Sequence, residues 1–176
     1  MNYVMRSLIA IFLGVVLVGD AFAQETGFKQ EFLRQYNSSS QKLTGLAEAM
    51  PAESYDWRPM EGVASVADAY MHIAYYNYYY PETSLSAATP SDIDIDAFET
   101  IEDKEAVVEQ LRRSLDHVIA TVEAMPPEAF DEMTEHYGRS TSKRAVLMSL
   151  IVHMNEHLGQ QIAYARSNHV VPPWSQ

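Results

Sequence analysis

From Gly27 to Ser167 the apolar residues of this chain recur at three- and four-residue spacing in four separate stretches, and each stretch runs up against proline. That period belongs to a helix with one buried face. Proline lacks the amide that continues a helix and crowds the turn before it, so it marks where each one stops. The first helix is expected from about Gly27 to Met50, carried by Phe28, Phe32, Tyr36, Leu43, Leu46 and Met50 and weakened in the middle by the run Asn37 to Ser40. The second runs from about Val66 to Tyr80 behind Ser65 as its N-cap, and the third from about Asp103 to Met125. The last follows Thr141 or Ser142 and ends near Ser167 or Asn168, before Pro172 and Pro173. No stretch alternates strictly as a half-buried strand does, so the expected fold is all-α, a four-helix bundle. The segments Pro51 to Gly62, Pro81 to Glu102 and Pro127 to Ser142 are read as loops, the aromatics of the first lidding the bundle.

The first 23 residues stand apart from this pattern. Arg6 precedes an apolar run from Ser7 to Gly19, and Ala21-Phe22-Ala23 offers the small-x-small site that signal peptidase cuts. The run is shorter than the roughly 20 residues needed to span a bilayer, so 1–23 is expected to be a cleaved signal peptide rather than an anchor. The remainder, 24–176, is expected to be one domain, secreted or periplasmic, with no stable membrane anchor. The chain has no cysteine, which leaves packing alone to stabilise it and His, Asp or Glu alone to hold a metal. Its net charge is −12, and no basic patch interrupts it, so nucleic acid is excluded as a partner.

Two histidines of the last stretch, His153 and His157, lie four residues apart in LMSLIVHMNEHLGQ and so share a helix face, with both rings able to reach one point. A catalytic metal normally takes three protein ligands and keeps one position open. The third is expected from the second helix, where His72 flanks the buried stripe just as His153 and His157 flank theirs, so that the three converge between two packed helices. His117 has no partner at such spacing and reads as a boundary residue.

Several segments together resemble the DinB/YfiT superfamily of metal-binding four-helix bundles: Tyr55-Asp56-Trp57-Arg58-Pro59 with Gly62 and Ser65, Met71-His72-Ile73-Ala74, the stretch His153 to Gln160, and Val170-Val171-Pro172-Pro173. The resemblance spans essentially all of the chain after the leader. It implies one divalent metal held by His72, His153 and His157, the same trio that spacing selects. Zinc is the expected ion, with nickel or iron equally compatible with an all-imidazole site. One departure is His169, where a glycine often stands in the family, which shifts the left-handed helix-ending position to Asn168.

Rival readings of the same residues fare worse. His153-Met154-Asn155-Glu156-His157 matches the inverted zinc peptidase signature, but no acidic residue follows Glu156 to complete its ligand set. A calcium loop starting at Asp92 would need glycine and glutamate where Ala97 and Asp103 stand, so the acidic run is read as a solvated loop favouring the next helix through its dipole. Three neutral ligands leave a metal's full charge available to acidify a bound water or thiol and to polarise a carbonyl. The expected function is therefore an exported metal-dependent enzyme acting on a small molecule, hydrolase-like or a thiol transferase as some superfamily members are. Tyr76, Tyr80, Trp57 and Gln160 are its candidate pocket residues. The alternative is a non-catalytic metal- or ligand-binding bundle acting as a homodimer through the tyrosine-rich segment Tyr70 to Tyr80.

Overall fold

A computed structural model describes residues 27–175, so the expected leader at 1–23 lies outside the described residues. The described chain is mostly helical, with four α-helices: α1 (27–49), α2 (Val66–Ser84), α3 (Lys104–Ala124) and α4 (Lys143–Ser167). None of the described helices is long and apolar enough to cross a membrane.

α2 is the central element. Val66, Ala69, Tyr70, Ile73, Asn77 and Tyr80 are buried as its stripe predicts, but so are Ala67, Met71, Ala74 and Tyr78 from its other faces. A helix covered nearly all round must be enclosed by its neighbours. The other three supply that cover with Tyr36, Leu43 and Leu46 from α1, Leu111 and Val118 from α3, and Leu147, Leu150 and Met154 from α4. One polar network crosses this apolar interior. The Tyr36 hydroxyl donates to Asn77 Oδ1 at 3.0 Å, Asn77 Nδ2 donates to Ser114 Oγ at 3.0 Å, and Ser114 donates to the Leu111 carbonyl. Each member is satisfied, which is the condition for burying such groups without penalty.

The caps at Ser65 and Ser142 sit where sequence places them, and Asp103, read as the start of the third helix, is its cap. Ser65 and Asp68 form a reciprocal capping box at the start of α2, with bonds of 3.1 and 2.8 Å, and Asp103 and Ser142 cap α3 and α4. The serine run of α1 does not break it. Ser40 Oγ bonds back to the Tyr36 carbonyl, and Ser39 Oγ donates to Asn155 Oδ1 on α4 at 2.9 Å, so both hydroxyls are spent without competing for the helix.

Three sequence expectations are corrected. α2 continues through Pro81 to Ser84, because a proline in the final turn forfeits only one carbonyl partner, and the Pro81 carbonyl itself accepts from Leu85 and Ala87. The segment Pro127 to Ser142 is not a simple loop: after a 3₁₀ turn at Pro127–Asp131 it forms an antiparallel hairpin, β1 (Met133–His136) with β2 (Arg139–Ser142). Its two-residue turn, Tyr137 and Gly138, has φ of 51° and 70°, the paired positive angles of the hairpin turn that matches strand twist. Finally, His169 rather than Asn168 takes the left-handed position at the end of α4, with φ 61°. Val170 N–H bonds the Ala165 carbonyl and His169 N–H bonds the Arg166 carbonyl, and this pair of bonds fixes the left-handed residue at 169 whatever its side chain.

Candidate metal centre

α2 carries His72 and α4 carries His153 and His157 to one place. The ring centroids lie 5.1 Å apart for His72 and His153, 4.7 Å for His72 and His157, and 4.6 Å for His153 and His157. One nitrogen from each ring falls within 4.8 Å of the others. Tetrahedral coordination at about 2.0–2.1 Å places ligand nitrogens about 3.4 Å apart, so small ring rotations bring all three to one ion.

The protonation chemistry agrees. Burial, then the neighbouring His157 and His72, push the His153 imidazole down to about 4, and burial with His157 lowers His72. Neutral imidazole is the form that binds metal. His153 Nε2 is buried without a hydrogen-bond partner, a cost that a bound ion would remove.

The third ring is fixed by a chain of hydrogen bonds whose direction is set at its far end. The Ala64 carbonyl can only accept, so the Tyr164 hydroxyl donates to it at 3.0 Å. Tyr164 then accepts from Gln160 Nε2 at 2.7 Å, which turns Gln160 Oε1 toward His157 Nδ1 at 2.7 Å. His157 therefore carries its proton on Nδ1 and offers Nε2. Trp57 packs edge-on against Tyr164, 5.3 Å between centroids, and shields this chain. On the other side the Tyr76 ring meets His72 at 4.8 Å and His153 at 4.7 Å.

A cleft of about 630 Å³ opens beside the trio, with His72, His157, Gln160 and Tyr76 in its lining. Among the described residues no fourth histidine or acidic ligand joins the three. Closed structural zinc sites use four protein ligands, one more than this set provides.

The sequence profile of the DinB superfamily matches residues 35–161, which takes in all three histidines. The chain belongs to the DinB superfamily. Solved structures bear out the fold of this DinB-superfamily protein. A DinB-like protein from Bacillus cereus is 14% identical with a TM-score of 0.73, covering 82% of this chain and 95% of its own. A DinB-like protein from Bacillus subtilis is 20% identical with a TM-score of 0.65, covering 83% and 97%. A conserved protein from Enterococcus faecalis is 12% identical with a TM-score of 0.59, covering 78% and 94%. No curated protein matches the chain.

Of the pocket residues expected from sequence, Tyr76 and Gln160 line the cleft of this DinB-superfamily protein, while Tyr80 and Trp57 do not and pack instead on Tyr76 and Tyr164. Glu156 is exposed on α4. His117 packs on Tyr78 instead of joining the trio. Sequence reasoning missed Tyr164, whose spacing of four from Gln160 was the available signal. It also missed the hairpin, which sets the Tyr137 hydroxyl 3.0 Å from that of Tyr80 and His136 Nδ1 3.2 Å from Ser84 Oγ.

Proposed function

We propose that this protein binds one divalent metal ion, zinc by preference, through His72, His153 and His157, and acts on a small molecule held in the adjoining cleft. The observation that carries the reading is the convergence of three imidazole nitrogens within 4.8 Å beside an open cleft. A volume of about 630 Å³ suits a small-molecule site. An ion held by neutral ligands supplies Lewis acidity to a carbonyl or phosphoryl group. The chain's own residues do the rest: Gln160 and Tyr164 hold the His157 ring, and Tyr76 walls His72 and His153 from one side. A hydrolase-like reaction suits an exported protein better than transfer of a cytosolic thiol, and export is part of the proposal.

The test is elemental analysis of the purified protein beside His72→Ala and His153→Ala. One equivalent of metal in the native protein, lost in both variants, is expected. Stoichiometric metal persisting in both variants overturns the assignment. Hydrolysis of an activated-ester panel that is indifferent to chelator would overturn the catalytic half.

A further inference from the structure

We infer that the cleft beside the three histidines takes an organic ammonium ion: a small amine, protonated at neutral pH, on an apolar or aromatic body. The inference rests on the small-molecule half of the reading above and not on the metal. Its starting point is the acidic segment that sequence reads as merely solvated. The 3₁₀ turn Ile95–Thr100 packs along α2 and delivers both Phe98 and Glu99 to the cleft. Asp68 on α2 adds a second carboxylate, and no lysine or arginine lines the space. Arg58 shares Asp68 at 3.7 Å from outside, with both side chains partly exposed, so Glu99 carries the undivided charge.

The apolar walls are the kind a cation prefers. Tyr75 and Tyr76 line the cleft edge-on to one another at 5.2 Å, and Tyr75 stacks on Tyr79 at 5.6 Å and 18°. Tyrosine rings attract a cation that comes within about 6 Å of their centroids. Burial raises the Tyr75 phenol, and Tyr79, Asp96, Tyr76 and Glu99 raise it further, which places that hydroxyl in the field of two carboxylates. Away from the three histidines, an anion entering here meets repulsion with no lysine or arginine in the lining to answer it, in a protein whose net charge is −12. A bare hard cation lacks a cage: among the described residues the only group of three acidic or histidine side chains at ligand distance is the trio itself. Among charged ligands, what remains is one with a positive head and a carbon body.

The experiment titrates zinc-free protein by calorimetry with phenethylammonium, 3-phenylpropanol and 3-phenylpropionate, three probes of similar shape and different charge. Leaving zinc out keeps the carboxylate probe from binding to metal. Phenethylammonium is expected to bind more tightly than the other two. Its affinity should fall about fivefold in Glu99→Gln, as for a partly exposed ion pair, and by a similar factor in Tyr75→Leu. Glu102→Gln, a change outside the cleft, should leave it unaltered. Equal binding of all three probes, preference for the anion, or full affinity in both Glu99→Gln and Tyr75→Leu would overturn the inference. Running His153→Ala in parallel separates the two readings. Ammonium binding that survives there while zinc is lost supports the cleft assignment independently, and one equivalent of zinc with no ammonium preference in the native protein sinks the inference alone.

Discussion

Replacing Gln160 by leucine keeps the bulk of the side chain and removes the acceptor that orients His157. In the native protein His157 Nδ1–H has one partner, Gln160 Oε1 at 2.7 Å, and Gln160 is itself held by Tyr164. Without it the ring rotates freely between orientations and tautomers, and only a fraction of them present Nε2 to the ion. Loss of such a supporting bond costs about 10–100-fold in metal affinity, or about 1.4–2.7 kcal/mol. The same figure appears in stability, because a ligand bound only to the folded state stabilises it by mass action. For a domain of this size about 1 kcal/mol moves the midpoint by about 2–4 °C, so at saturating zinc the zinc-induced rise should be about 3–10 °C smaller in Gln160→Leu. Competition with a chromophoric chelator at pH 7 measures the affinity directly, and differential scanning calorimetry measures the shift. Gln160→Glu, which keeps an acceptor, should retain native affinity or exceed it. Native zinc affinity in Gln160→Leu would refute the chain of reasoning from Ala64 to the ring.

The zinc-free protein should lose stability on acidification. His153 is held down to about 4 in the fold and titrates near 6.5 when unfolded, so the unfolded state takes up the proton first, and stability present above pH 6.5 drains away as pH falls toward 4. Partial exposure reduces the effect to about 1–2 kcal/mol, and denaturant melts of native protein and His153→Asn across that window should differ in slope. Asn77→Ala strands the buried Tyr36 hydroxyl and one side of Ser114, for a loss of about 2–4 kcal/mol by urea unfolding; a change below about 1 kcal/mol would contradict the network's role. His169→Gly relieves a left-handed residue with φ 61° and should stabilise the protein by about 0.5–1 kcal/mol, read from the same melts.

The helices were legible because their buried positions repeat at a period no strand can satisfy, and the trio because His72, His153 and His157 occupy matching margins of two such helices. The hairpin was not. Its strands, Met133-Thr134-Glu135-His136 and Arg139-Ser140-Thr141-Ser142, are four residues long with no buried position, and their one large apolar residue, Met133, is exposed, so they carry no apolar alternation to read. Its turn was hidden as well, since Tyr137 occupies a positive-φ site where asparagine or glycine is the recognisable signal. The acidic run is solvent-exposed as its composition suggests. What composition does not reveal is that Ile95–Thr100 packs against α2, which puts the exposed Glu99 at the rim of the cleft.

The bonds that tie α4 to the start of α2 have one property in common. Tyr164 donates to the carbonyl of Ala64, and Gln161 Nε2 donates to the carbonyl of Val66 at 2.8 Å. Both acceptors are main-chain atoms, present whatever side chains stand at 64 and 66. The positional demand of the centre is thus written in backbone path on one helix and in side chains on the other. The side chains at 64 and 66 take no part in these two bonds, Val66 being held by its burial in the core instead, whereas the bonds themselves depend on the side chains of Gln160, Gln161 and Tyr164. A scaffold of this kind can hold the same three imidazoles in register while most of its sequence changes around them.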